Sequence, residues 1–138
     1  MTPRQIELVQ QSWQKVVPIQ SEAATLFYTR LFDTDPALRP LFKGDLPEQG
    51  HKLMNMISVA VRGLSRLDAL VPAVRDLGKR HRAYGVQPEH YSTVAASLLW
   101  TLERGLGDAF TSEVKEAWTT AYSVLAATMQ QGAAAGAA

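Results

Sequence analysis

Residues 68–85 read DALVPAVRDLGKRHRAYG, and the spacing within this stretch carries the fold prediction. Its larger apolar side chains recur at Leu70, Val74 and Leu77, at intervals of four and three residues. Because an α-helix turns once every 3.6 residues, these positions share one face. His81 continues that face one turn later. The stretch therefore predicts an amphipathic helix that presents one imidazole to the protein core.

The same helical spacing recurs on both sides of this segment, whereas the alternating pattern of strands is nearly absent. Thr2, Pro3 and Gln5 form a predicted capping box at the start of the first helix. Further helices are predicted to begin near Ser21, Pro47, Asp68, Pro88 and Thr111, with a short helical turn after Pro36. The sequence thus predicts an all-α protein with about six substantial helices.

Length and composition define the class of protein. A chain of 138 residues with 46% apolar and 20% charged side chains suits one globular domain and is too short for two. We expect a single domain over 1–131, followed by a flexible Ala/Gly tail over 132–138. No apolar run approaches the length of a bilayer span, and the N-terminus lacks the apolar core of a signal peptide. A cytoplasmic protein with no membrane partner is the expectation.

Charge and cysteine content exclude several kinds of site. The formal net charge is +1 and the basic residues are scattered, so the clustered cations of a nucleic-acid surface are missing. There is no cysteine, which excludes disulfides, thiolate metal sites and iron–sulfur clusters. Metal binding by imidazole must use one of the three histidines of the chain.

Helix phase separates those three histidines. His51 and His90 are expected to be exposed, whereas His81 lies on an apolar face. A single histidine on such a face is more often a hydrogen-bonded core residue than a ligand. One histidine is too few for a zinc site, but it is enough for haem iron, because the porphyrin supplies four ligands. From the spacing alone, both interpretations of His81 stay open.

Six short motifs resemble the globin family along the whole chain, and the similarity is greatest to single-domain bacterial haemoglobins and neuroglobins. They are QSW at 11–13, LFYTRLF at 26–32, Pro36 six residues before Phe42, KLM at 52–54, LGKRHRAYGV at 77–86, and AW at 117–118 followed by Tyr122. The resemblance implies the globin fold, with about six to eight helices around a pocket for haem b, which is iron protoporphyrin IX.

The resemblance also implies roles for individual residues. It makes His81 the proximal iron ligand. The residues that it places against the porphyrin are Phe42, Lys52, Leu53, Val86 and Val94. Phe42 would wedge the ring, which is compatible with an ordinary core position. Lys52 would meet a haem propionate, although a solvated surface lysine is an equally good interpretation of the same residue.

On the distal side, the resemblance places Tyr28 and Gln49. Gln49 occupies the position where many globins carry a histidine, and Tyr28 faces the same pocket from the second helix. Oxygen on ferrous haem gains negative charge, so a phenol and an amide would stabilise it more than carbon monoxide. Because glutamine is a poor iron ligand, we expect five-coordinate ferrous iron and tight oxygen binding.

On the proximal side, Tyr91 lies ten residues after His81, where flavohaemoglobin-like proteins carry a tyrosine. The glutamate that pairs with it in that family is replaced here by Ala133. This replacement argues against a peroxidase-like electronic push. The Leu77 carbonyl is then the expected acceptor for the other ring nitrogen of His81.

Three functions follow from these assignments. The first is reversible binding of O2, and also of CO and NO, for oxygen storage, delivery or scavenging. The second is a nitric oxide dioxygenase that converts nitric oxide and oxygen to nitrate and depends on an external reductase, because the chain has no dinucleotide-binding loop. The third is a helical interaction or sensor module without haem, in which His81 is a core residue.

Overall fold

The computed structural model describes residues 2–41, 46–83 and 88–137, with side chains described throughout except at 41, 67, 81–83, 88 and 133–137. Six α-helices account for most of these residues: α1 (Pro3–Val16), α2 (Gln20–Thr34), α3 (Leu46–Gly63), α4 (Leu67–Ala83), α5 (Pro88–Leu106) and α6 (Ser112–Ala137). No strand occurs in the described ranges. The prediction of an all-α architecture with six substantial helices is confirmed.

The helix starts follow the capping signals of the sequence. Thr2 Oγ1 accepts a hydrogen bond from the Gln5 backbone N–H at 3.1 Å, and the Gln5 side chain accepts one from the Thr2 N–H at 3.0 Å. Thr111 Oγ1 likewise accepts from the Val114 N–H at 3.2 Å, at the start of α6. These side chains satisfy backbone donors that have no partner within the helix.

Short 3-10 turns join several helices. One covers Pro36–Leu41, as predicted from Pro36, and another follows α5 at Gly107–Ala109. The sequence predicts that α5 ends at Gly105 or Gly107. Gly107 has a φ of +55°, a left-handed conformation that favours glycine, and α5 ends just before it. The sequence also predicts that the helix starting near Asp68 stops at Gly85, and that position lies outside the described residues.

Two tryptophans join three helices in the core. The rings of Trp13 in α1 and Trp118 in α6 lie 5.9 Å apart. Trp118 Nε1 donates to Ser12 Oγ at 2.8 Å, and Trp13 Nε1 donates to Ser58 Oγ in α3 at 2.9 Å. Since both buried indole N–H groups have partners, the aromatic core includes no unsatisfied indole donor.

Helices α4 and α6 pack with almost no side chain between them at two glycines. A Cβ atom on Gly78 would overlap the backbone of Met129, and one on Gly132 would overlap the backbone of Arg75. Gly132 is buried, and α6 continues to Ala137 through the segment for which the sequence predicts fraying. Glycine at both positions allows this backbone-to-backbone packing. The flexible tail expected over 132–138 stays a prediction.

Candidate functional site

A crossing of α2 and α3 brings the predicted distal residues to one region. A Cβ atom on Gly50 would lie 2.9 Å from Ala24 Cβ and 3.5 Å from Tyr28 Cε2. The two helices therefore approach as closely as small residues allow. Tyr28 follows Ala24 by one turn of α2, and Gln49 immediately precedes Gly50 in α3. No motif in the sequence indicated this contact between Ala24 and Gly50.

Tyr28 lies deep in this region. Its side chain is 7% exposed, and its ring stacks on Phe32 at 5.8 Å and meets the edge of Phe27 at 5.3 Å. Burial raises the pKa of Tyr28 to about 12, because the phenolate would lose its hydration. At neutral pH the side chain thus keeps its proton and can donate a hydrogen bond.

Apolar side chains from four segments surround this tyrosine. The fully buried members of the cluster are Phe27, Tyr28, Leu31 and Leu38. Phe32, Leu53, Val94 and Leu98 pack against the cluster and stay only partly buried. The structure therefore brings the predicted porphyrin contacts Leu53 and Val94 to the Tyr28 cluster. The apolar surface of these partly buried residues is incompletely covered. Such a surface can accommodate a flat apolar cofactor.

Exposure along α3 agrees with the predicted helix phase. Gln49 and Leu53 are half-buried, whereas His51 and Lys52 are exposed. Lys52 Nζ lies 3.8 Å from the Glu48 carboxylate one turn earlier, and both side chains are largely in solvent. The prediction that His51 points to solvent is confirmed. The position of Lys52 is compatible both with a contact to a haem propionate and with an ordinary solvated surface lysine.

Helix α4 carries the predicted iron ligand. Val74 is buried and Leu77 is half-buried, whereas Asp76 and Arg80 are exposed and form an ion pair at 3.3 Å. The inward face predicted for the helix is confirmed over these turns. His81 lies in α4, one turn after Leu77, and its side chain is outside the described set. Its role as ligand, and that of the Leu77 carbonyl as its partner, stay predictions.

Two further porphyrin contacts are predicted from the sequence motifs. Phe42 and Val86 both lie outside the described residues. Their assignment rests on the sequence motifs alone.

The start of α5 is held against α6 by a tyrosine. The Tyr122 hydroxyl donates a 2.6 Å hydrogen bond to the Tyr91 backbone carbonyl, and Tyr91 is half-buried. Burial, together with the nearby Tyr91, raises the pKa of Tyr122. His90 is half-buried too, so the prediction that it is exposed was wrong: tertiary packing covers part of a side chain that helix phase alone places in solvent. Both tyrosines were visible in the sequence, but no motif indicated their contact.

Ser97 of α5 is a second feature that the sequence did not reveal. Its side chain is 1% exposed, and its hydroxyl has no hydrogen-bond partner among the described residues. Among the described residues, no helix is long and apolar enough to cross a membrane.

Comparison with known sequences gives the same family as the motifs. The globin family model matches residues 25–129. The neuroglobin of Danio rerio is 34% identical over an alignment that covers 91% of this chain and 87% of the relative. The neuroglobin of Tetraodon nigroviridis is 32% identical, with 91% and 88% covered.

Solved structures agree with the sequence comparison. A hexacoordinated haem protein from an anhydrobiotic tardigrade superposes with a TM-score of 0.88 over 97% of this chain and 96% of its own, at 18% identity. An engineered carbene transferase from Rhodothermus marinus, provisionally described as a nitric oxide dioxygenase, gives a TM-score of 0.85 at 29% identity, with 97% and 94% covered. The family match over most of the sequence, with the same fold in both structures, shows that this chain belongs to the globin family.

Proposed function

We propose that this globin holds haem b and binds O2 reversibly and tightly, with CO and NO as further ligands. Globins bind haem through a proximal histidine. The observation that carries the proposal is the buried Tyr28 side chain among half-buried apolar residues of α2, α3 and α5. A neutral phenol in an apolar cradle suits a small uncharged ligand that becomes polar when it binds.

The described residues fit the cofactor. Among these residues, Leu53 and Val94 would contact the porphyrin. The sequence motifs add Phe42 and Val86 as further proposed contacts. His81 would hold the iron, and Lys52 would lie near a propionate. When bound, haem supplies the iron at which a diatomic gas binds. The half-buried apolar surface around the Tyr28 cluster is what the ring would cover.

Tyr28 and Gln49 are proposed to set the oxygen affinity. Each can direct a hydrogen-bond donor at a ligand on the distal side. A hydrogen bond to a charged partner contributes roughly 1.5–3 kcal/mol, which corresponds to about 10- to 150-fold in affinity. The Tyr28 hydroxyl keeps its proton over the whole neutral range, and burial raises its pKa further, to about 12.

Residues on the other side of the haem would orient His81. The Leu77 carbonyl is the proposed acceptor for its second ring N–H. Tyr91 would lie behind it, and the hydrogen bond from Tyr122 to the Tyr91 carbonyl supports a fixed position for that turn. We retain the cytoplasm as the proposed location.

A second candidate function is nitric oxide dioxygenase activity, which converts nitric oxide and oxygen to nitrate. Support for it comes from the Rhodothermus marinus structure at 29% identity. Sustained turnover would require an external reductase as partner. Tyr28 and Gln49 would serve this activity too, because both functions need firmly held oxygen.

Absorbance spectra test the proposal. Recombinant protein is expected to show a Soret band, with ferrous, ferric and oxygen-bound spectra that interconvert. His81→Ala is expected to lose stable haem retention, and the matched variant His90→Ala is expected to keep it. Absence of a Soret band even after addition of haem would contradict both functions and favour the haem-free helical module. Nitric oxide consumption with a reductase present distinguishes an enzyme from a binder.

A further inference from the structure

A cleft of about 400 Å³ lies between α2 and α3. Its inner wall includes Ala24 and Tyr28 from α2 and Met54 from α3, all three of which are buried. Its rim includes Thr25 and His51, which are exposed. The cleft therefore extends from solvent to the ring of Tyr28.

Small residues line the inner end of the cleft, where α2 and α3 approach closely. Gly50 lines it, and a Cβ atom there would come within 3.5 Å of Tyr28 Cε2. The facing residue of α2 is Ala24, whose Cβ is the nearest atom to that position. Larger side chains at this pair would occupy the space next to the tyrosine ring. Gln49 is not among the described lining residues, so the cleft reaches Tyr28 without passing Gln49.

The lining suits a small neutral molecule. None of the described lining residues is Asp, Glu, Lys or Arg, and His51 at the rim is the one histidine among them. Moving an ion through a passage without opposite charges carries a large desolvation penalty, which a neutral diatomic gas does not incur. Phe32 and Met54 add apolar surface to the wall.

We propose that this cleft is an access route by which neutral diatomic gases pass between solvent and the Tyr28 side of the haem, separate from Gln49. The proposal rests on the proposed function, because Tyr28 must be a distal residue for the route to reach the ligand site. It adds two residues, Thr25 and His51, that control passage without contacting the bound ligand.

Laser-flash photolysis of the CO complex tests the route. Thr25→Trp places a bulky ring at the rim and is expected to lower the CO association rate constant roughly three- to ten-fold, because passage becomes slower. The CO dissociation rate constant is expected to fall by the same factor, since a narrowed route changes both rates and leaves the equilibrium constant unchanged.

The matched control is Thr34→Trp. Thr34 is exposed near the end of α2 and does not line the cleft, so this variant is expected to keep the wild-type rate constants. His51→Trp narrows the opposite wall and repeats the test should Thr25→Trp fold poorly. Crystals under xenon pressure supply a readout that does not depend on rates: density for xenon is expected beside Tyr28 and Met54.

Three outcomes overturn the inference. The first is association rate constants in the Thr25→Trp and His51→Trp variants that match Thr34→Trp. The second is slower association without equally slower dissociation, which indicates an altered binding site. The third is xenon density absent from the cleft. A protein that binds no haem refutes the proposed function itself, whereas normal CO binding with unaffected Trp variants refutes the route alone.

Discussion

Gly78 of α4 lies directly against the backbone of Met129 in α6, with no room for a Cβ atom between them. His81 follows three residues later in the same helix. The position of the proposed iron ligand relative to the rest of the fold is therefore set in part by a contact between two backbones. Few contacts of this kind tolerate even one added methyl group.

Gly78→Ala is expected to displace α4 and loosen haem binding. Overpacking of this kind typically costs about 1–3 kcal/mol of unfolding free energy. Thermal unfolding and the rate of haem transfer to apomyoglobin measure the two effects, and both are expected to change in the unfavourable direction.

The control is Gly105→Ala in α5. A Cβ atom there would meet Ile19 Cδ1 at 3.4 Å, which is an ordinary contact. Because alanine favours the helix, this variant is expected to be neutral or to gain up to about 1 kcal/mol. Equal stability of the Gly78→Ala and Gly105→Ala proteins would refute the close packing of α4 on α6.

Tyr28→Phe is expected to speed O2 dissociation by about 10- to 150-fold, because one hydrogen bond to a charged ligand is lost. CO dissociation is expected to change much less, since bound CO gains little charge. Stopped-flow measurement of both rates separates a donor role from a packing role, and equal changes for the two gases would exclude Tyr28 as a selective donor.

The pH dependence of O2 release provides an independent check on that donor. The pKa of Tyr28 is raised to about 12, so the hydroxyl stays protonated throughout the accessible range. The O2 dissociation rate of the wild-type protein is therefore expected to be flat between about pH 6 and pH 10 as far as this phenol is concerned. A rise in the dissociation rate with a midpoint near pH 10 would show an exposed, ordinary phenol.

Sequence reasoning was sufficient for the architecture. The capping box at Thr2 and the 3.6-residue periodicity are local signals, and both appear in the structure as predicted. Those local rules did not reveal the packing at Gly132. That packing depends on Arg75, which is distant in sequence, so no local pattern around Gly132 indicates it.

The candidate site was predicted in part. Helix phase correctly separated half-buried Gln49 and Leu53 from exposed His51. The phase of α5 did not reveal that His90 is half-buried or that the Tyr91 carbonyl accepts a hydrogen bond from Tyr122. Both depend on tertiary packing, such as the contact of Tyr122 in α6 with α5, and packing of that kind leaves no periodic trace in the sequence.

Buried tyrosines are expected to limit stability at alkaline pH. The pKa values of Tyr28 and Tyr122 are raised by burial, so each phenol ionises more readily in the unfolded chain, near pH 10. Stability is thus fully present below about pH 10 and falls above it, by at most about 1.4 kcal/mol per pH unit for each such phenol. Urea unfolding of wild type, Tyr28→Phe and Tyr122→Phe at pH 8 and pH 11 measures this loss, which is expected to be smaller in each variant than in wild type. A loss of equal size in all three proteins would contradict the buried state of both phenols.

Ser97→Ala is expected to stabilise the protein. The Ser97 hydroxyl is buried without a partner among the described residues, and such a group typically costs about 1–3 kcal/mol, which alanine removes at nearly the same shape. Ser12→Ala is the opposite case, because Ser12 Oγ donates to the Leu8 carbonyl at 2.7 Å and accepts from Trp118 Nε1 at 2.8 Å, so its loss leaves the indole unsatisfied. Urea unfolding should therefore move the two midpoints in opposite directions. Destabilisation of comparable size in both variants would mean that Ser97 holds a buried water, and the hydroxyl would then be a structural hydrogen-bonding group of the α5 core.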